Sequence, residues 1–139
     1  MFLVRRTLLW GVMCLFLTFG SPALALEIVK TGTKYTYEMM QADILQLSER
    51  YGDLVNYQVI GESEYGRGIY AVSLGYGDAI VLIDAGRHAR EWIGTMVAME
   101  MIEVYAHAYE NAWNVGGYNV REILDNTTIW FVPMANPDG

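Results

Sequence analysis

The chain has 139 residues, enough for one domain, and 53% of them are apolar, which excludes a disordered polar tail. Its formal net charge is −7. Such an acidic surface repels phosphate backbones, and no basic stripe with interleaved aromatics offsets it, so nucleic acid is excluded as a partner.

Residues 1–25 read as a secretory signal peptide. Arg5 and Arg6 supply the positive start, residues 8–19 are almost unbroken apolar, and Ser21-Pro22 ends that run. Ala23-Leu24-Ala25 is a small-x-small cleavage site before Leu26. The apolar run is shorter than the roughly 20 residues that span a bilayer. The leader is therefore expected to be cleaved, leaving no stable membrane span; an uncleaved anchor is the alternative. The one cysteine, Cys14, lies inside the leader. The remaining 26–139 would be an exported segment without disulfides or thiolate ligands, a pattern that suits a bacterial secreted or envelope protein.

Along that segment, Thr36 caps a predicted helix over 36–51, with Met40, Ile44 and Leu47 at helical spacing before Gly52. Residues 55–60 and 69–74 read as two strands of a hairpin with a long polar loop over 61–68. Residues 75–78 form a further turn. Residues 79–83, Ala-Ile-Val-Leu-Ile, read as a strand buried on both faces. A polar loop over 84–90 leads into a helix over 92–109, and 128–132 is another buried strand before a closing loop. Strand, helix, strand makes a βαβ unit with parallel strands and a right-handed crossover. The expected fold class is α/β, a mixed sheet covered by helices. His88-Ala89-Arg90-Glu91 and Asn136-Pro137-Asp138-Gly139 then leave the C-terminal ends of neighbouring strands, the edge where such sheets place ligands.

His88 and Glu91 form H-x-x-E at a strand-to-helix junction. A three-residue step turns both side chains to one face. Imidazole and carboxylate are zinc ligands, and two histidines with one glutamate leave a fourth position for water, whose pKa falls toward roughly 7. The same spacing also arises by chance, with Glu91 merely favouring the first turn of a helix. The other histidine, His107, lies sixteen residues beyond Glu91, or about 24 Å along a helix, too far to share a metal. It reads as a surface residue near the helix C-terminus. Glu100, Glu103 and Glu110 read as the solvated helix face, and Met96, Met99 and Met101 as core filler. Asn126-Thr127-Thr128 matches a glycosylation acceptor, which carries no meaning in a bacterial source.

Three stretches, in order, decide the matter. Ile83-Asp84-Ala85-Gly86-Arg87-His88-Ala89-Arg90-Glu91-Trp92 resembles the zinc-binding signature of the carboxypeptidase A-like (M14) metallopeptidases. Val132-Pro133-Met134-Ala135-Asn136-Pro137-Asp138-Gly139 resembles a second motif of that family, and Ile60-Gly61-Glu62-Ser63-Glu64-Tyr65-Gly66-Arg67 a third. The resemblance implies a zinc metallocarboxypeptidase acting on peptide or protein substrates. His88 and Glu91 would be two of its zinc ligands, Arg90 would help hold substrate, and the Asn-Pro-Asp-Gly turn would shape the wall of the site. It also implies that the third ligand, a histidine, and the glutamate that takes a proton from the zinc-bound water come from beyond Gly139, as do the groups that grip a terminal carboxylate. The chain would then be the N-terminal part of the domain and inactive by itself. Cell-wall peptides, including γ-glutamyl bonds to a diamino acid, remain open as substrates. Two other classes stand beside this one: a non-catalytic peptide-binding envelope protein or decayed gene product, and a zinc hydrolase of small acyl-amino acids. The latter group typically has glycine after the histidine, where this chain has Ala89.

Overall fold

The computed structural model describes residues 28–139; the leader and its cleavage site lie outside the described residues. Helix α1 (Tyr37–Tyr51) starts where the Thr36 hydroxyl accepts from the Met39 amide at 3.3 Å, and stops at Gly52, whose φ is 53°. It buries Met40, Ile44 and Leu47, the stripe read from the sequence. Strands β1 (Val55–Glu62) and β2 (Gly68–Leu74) pair antiparallel as the expected hairpin. Strand β3 (Ala79–Asp84) leads through a loop into helix α2 (Trp92–Asn111), two residues longer than the sequence suggests.

The sequence reading leaves residues 110–127 unassigned. There the chain makes a small hairpin, β4 (Asn114–Val115) and β5 (Tyr118–Asn119), and a short helix α3 (Val120–Asn126) capped by the Asn119 side chain. Strand β6 (Thr127–Val132) then enters the sheet parallel to β3, in register from Ala79 opposite Thr127 to Asp84 opposite Val132. The sheet order is β1-β2-β6-β3, with β6 antiparallel to β2. The close fit between the 75–78 turn and the α3–β6 junction requires Gly77, because a Cβ there would overlap the backbone of Asn126 and Thr127.

Helices α1 and α2 pack over one face of the sheet. Val72, Leu74 and Phe131 from the strands meet Ile44, Leu47, Met99, Ile102 and Ala106 from the helices, all fully buried. Met96 and Met101 pack at the margin of this cluster, consistent with their reading as core filler.

Three expectations are corrected. Strand β3 is not covered on both faces. It is the edge of the sheet, with Ile80 and Leu82 at 71% and 66% exposure, because no helix among the described residues lies over that face. Glu103 is not on a solvated face. It is 2% exposed, turned inward to accept from the amides of Ile28 and Val29 at 3.0 and 2.7 Å. His107 is half-buried and meets Trp113 edge-on, with ring centroids 5.2 Å apart. Glu110 is exposed and forms a two-pronged ion pair with Arg50, at 2.9 and 2.8 Å, joining α2 to α1. No helix among the described residues is long and apolar enough to cross a membrane.

Candidate metal centre

Parallel pairing of β3 and β6 brings Asp84 and Val132 side by side, so the loops that follow run together. Backbone bonds stitch them: Ala85 N–H to Val132 O at 3.0 Å, Ala135 N–H to Ala85 O at 2.9 Å, and Asn136 N–H to Gly86 O at 3.0 Å. Gly86 has φ 61°, and a Cβ on it would stand 2.7 Å from Thr95 Oγ1 and 3.1 Å from Met134 Cα. Only glycine therefore lets the loop lie this close to α2 and to the β6 exit. Arg87 pairs with Asp84.

One tight turn follows. The Glu91 amide donates to His88 O at 3.0 Å, which brings both side chains to the same side. His88 Nδ1 and Glu91 Oε1 are 2.8 Å apart, and Glu91 Oε2 accepts from the His88 amide at 3.3 Å. Glu91 occupies the N-cap position of α2, yet its carboxylate turns to His88 instead of capping the helix. The bond from the His88 ring, reinforced by the His88 amide, holds the Glu91 carboxyl below its usual range. Both side chains are open to solvent, at 81% and 51% exposure, so their donor atoms are accessible.

These donors suit zinc. Bonds of about 2.1 Å in a tetrahedral site put neighbouring ligand atoms about 3.4 Å apart. The two atoms, hydrogen-bonded at 2.8 Å, would have to part by about 0.6 Å to reach that edge. Among the described residues no group of three His, Cys, Asp or Glu side chains converges on the pair. A cleft of about 230 Å³ opens beside it, lined by Tyr37, Arg67, His88, Glu91, Trp92 and Asn136 among others. Arg90 is exposed, makes no hydrogen bond or ion pair among the described residues, and does not line this cleft. The Thr95 hydroxyl faces the cleft wall, buried and without a partner among the described residues. The sequence reading passes over Thr95, since a threonine inside a helix gives no sign of its own. It also leaves unseen that the 60–67 and 132–139 motifs touch, because Ser63 and Asp138 are 75 residues apart.

The domain thus combines a mixed sheet, with helices on one face, and an H-x-x-E pair that follows the first of its two parallel strands. The zinc carboxypeptidase family profile matches residues 40–139. The chain belongs to that family, whose members are zinc-dependent hydrolases. It is 33% identical over 113 residues to gamma-D-glutamyl-L-diamino acid endopeptidase 1 of Lysinibacillus sphaericus, covering 81% of this chain and 28% of that protein. It is 30% identical over 111 residues to carboxypeptidase B of Rattus norvegicus, covering 77% of this chain and 26% of that one. Bovine thrombin-activatable fibrinolysis inhibitor, solved in complex with tick carboxypeptidase inhibitor, superposes with a TM-score of 0.64. That match, at 23% identity, covers 76% of this chain and 32% of the other and establishes the shared fold. The chain thus spans less than a third of the length of these relatives.

Proposed function

We propose that His88 and Glu91 are two ligands of the catalytic zinc in a metallocarboxypeptidase that releases C-terminal amino acids from peptides. The observation that carries this is the 2.8 Å approach of His88 Nδ1 to Glu91 Oε1 at the C-terminal ends of paired parallel strands. When bound, zinc supplies a polarised carbonyl and a water acidic enough to ionise near neutrality. The two side chains would hold the ion beside the cleft, with a further histidine and a proton-accepting glutamate contributed from beyond Gly139. Arg90, exposed and without a protein partner among the described residues, would hold substrate oxygen as it enters the site. Residues 1–25 would direct export as a cleaved signal peptide, leaving 26–139 as the N-terminal portion of the catalytic domain in the envelope or medium of a bacterium.

A second substrate reading rests on the relative named as a γ-D-glutamyl-L-diamino acid endopeptidase, 33% identical. The same half-site would serve a γ-glutamyl bond of a cell-wall peptide, since the zinc chemistry does not depend on which carboxyl forms the amide.

The test is metal content and hydrolysis by the complete gene product. Stoichiometric zinc, loss of activity with a chelator and loss of both in His88→Ala and Glu91→Gln are expected. Turnover of N-acylated dipeptides would identify a carboxypeptidase, and turnover of γ-D-glutamyl-diamino acid peptides the second reading. Preferential hydrolysis of small acyl-amino acids, or peptide binding unchanged by His88→Ala with no turnover, would sink the proposal in favour of an amidohydrolase or a non-catalytic binder.

A further inference from the structure

The 63–67 loop between β1 and β2 carries a serine, a glycine and an arginine that the zinc reading does not use. In the fold they close on the Asn-Pro-Asp-Gly turn. Ser63 Oγ donates to Asp138 Oδ1 at 2.8 Å, and the Tyr65 amide donates to Asp138 Oδ2 at 3.0 Å. Arg67 donates from its backbone amide to Ser63 Oγ at 3.0 Å and from Nη1 to Pro137 O at 2.7 Å. The guanidinium stands 3.8 Å from the Asp138 carboxylate and 5.4 Å over the Tyr37 ring. One carboxylate thus gathers the loop between β1 and β2.

The other side of the same turn grips the metal loop. Asn136 bonds Gly86 O through its amide and Arg87 O through Nδ2, at 3.0 and 3.2 Å. Gly139 lies so close to the residue after His88 that a Cβ on it would stand 2.9 Å from Ala89 Cα. The 63–67 loop, the 135–139 turn and the 85–89 loop therefore form one continuous set of contacts, ending at the carbonyl that precedes His88.

We propose that Asp138 is a positioning residue for the zinc half-site. Its carboxylate clamps the turn to Ser63 and Tyr65, and the turn in turn fixes the backbone that aims His88 at Glu91. The role as a metal site rests on the function proposed above; the mechanical coupling from Asp138 to 85–91 does not. A group bonded directly to a ligand typically changes metal affinity about 10–100-fold, and Asp138, which acts through the turn, is expected to change it by less.

The test compares Asp138→Ala with Asp138→Asn in the complete protein. Alanine removes both acceptors. Asparagine keeps an acceptor for the Tyr65 amide and offers Nδ2 to Ser63 Oγ, whose oxygen has room for a second donor. Amide hydrogen exchange in the metal-free protein reads the coupling: residues 86–91 exchange faster in Asp138→Ala, with the helices unchanged, and Asp138→Asn restores most of the protection. Zinc affinity by chelator competition should fall in the alanine variant, by up to roughly tenfold, and recover with asparagine. Ser63→Ala, which removes the hydroxyl at the centre of the clamp, should move both readings the same way and serves if Asp138→Ala does not fold. Unchanged exchange at 86–91 in the folded alanine or serine variant overturns the proposal. A parent protein that binds no zinc defeats the functional reading instead, and the exchange result still decides the clamp.

Discussion

Glu103 Oε1 and Oε2 take the amides of Ile28 and Val29 inside the protein, which ties the first described residues to α2. Each amide left without an acceptor in a buried place costs about 1–3 kcal/mol. Glu103→Ala is therefore expected to destabilise the complete protein by about 2–5 kcal/mol in denaturant unfolding, and to raise protease sensitivity near Ile28. Glu103→Gln keeps one acceptor and should lose less. Asp43 lies nearby, buried on α1, and accepts from the Tyr35 hydroxyl. Burial first, and the Glu103 carboxylate second, raise its pKa above the ordinary 3.8, against the lowering pull of the Tyr35 bond and of Lys30. A raised carboxyl means that the folded state holds the proton more tightly than the unfolded one. Its contribution to stability is full below about pH 3.8 and is lost as pH rises through the folded value. Asp43→Asn, which still accepts from Tyr35, should flatten that slope and leave the protein no less stable at pH 7. A variant whose pH profile matches the parent would show that Asp43 does not titrate differently in the folded state.

At the level of elements, the loop after β3 depends on how closely it approaches its neighbours. Gly86 holds φ 61° against Thr95 and Met134, so Gly86→Ala combines left-handed strain with a clash. The strain alone costs about 1–3 kcal/mol. The change is expected to lower the melting temperature of the complete protein and to weaken the zinc binding proposed for His88 and Glu91, because relief of the clash moves the loop that carries His88. Local patterning made much of this architecture legible. Thr36 as a cap, the Met40-Ile44-Leu47 stripe and the βαβ order of 79–132 are short-range signals, and the H-x-x-E pair sits where that order puts it. What stayed hidden needed contacts between distant residues. Glu103 has the spacing of a solvated helix residue, and only the return of Ile28 and Val29 makes it an interior acceptor. Residues 110–127 lack a run long enough to show a period, so β4, β5 and α3 could not be read from pattern. Asp138 reads as a turn residue, and nothing within the turn points to Ser63.

For the molecule as a whole, the uncovered face of the sheet sets the behaviour of the isolated chain. A continuous apolar sequence such as Ala-Ile-Val-Leu-Ile suits a strand covered on both faces. Here Ile80, Val81 and Leu82 on β3 and Val59 and Ile60 on β1 are exposed, and β3 and β1 are the two sheet edges. An apolar edge with unpaired backbone groups templates pairing with another copy. The 139-residue chain expressed by itself is thus expected to self-associate, giving oligomers in sedimentation and no cooperative thermal transition. It is also expected to show no zinc-dependent hydrolysis, since the two proposed ligands would hold an ion weakly and the proposed proton acceptor lies elsewhere. Masking the edge separates the two effects. Replacing Ile80 and Leu82 by lysine should restore solubility through charge on the open face, without restoring turnover. A soluble, cooperatively melting monomer from the unmodified chain would mean that the sheet closes its own edge in solution. Turnover by that monomer, abolished by a chelator, would mean that the chain completes a zinc site with residues that the fold does not bring to His88 and Glu91.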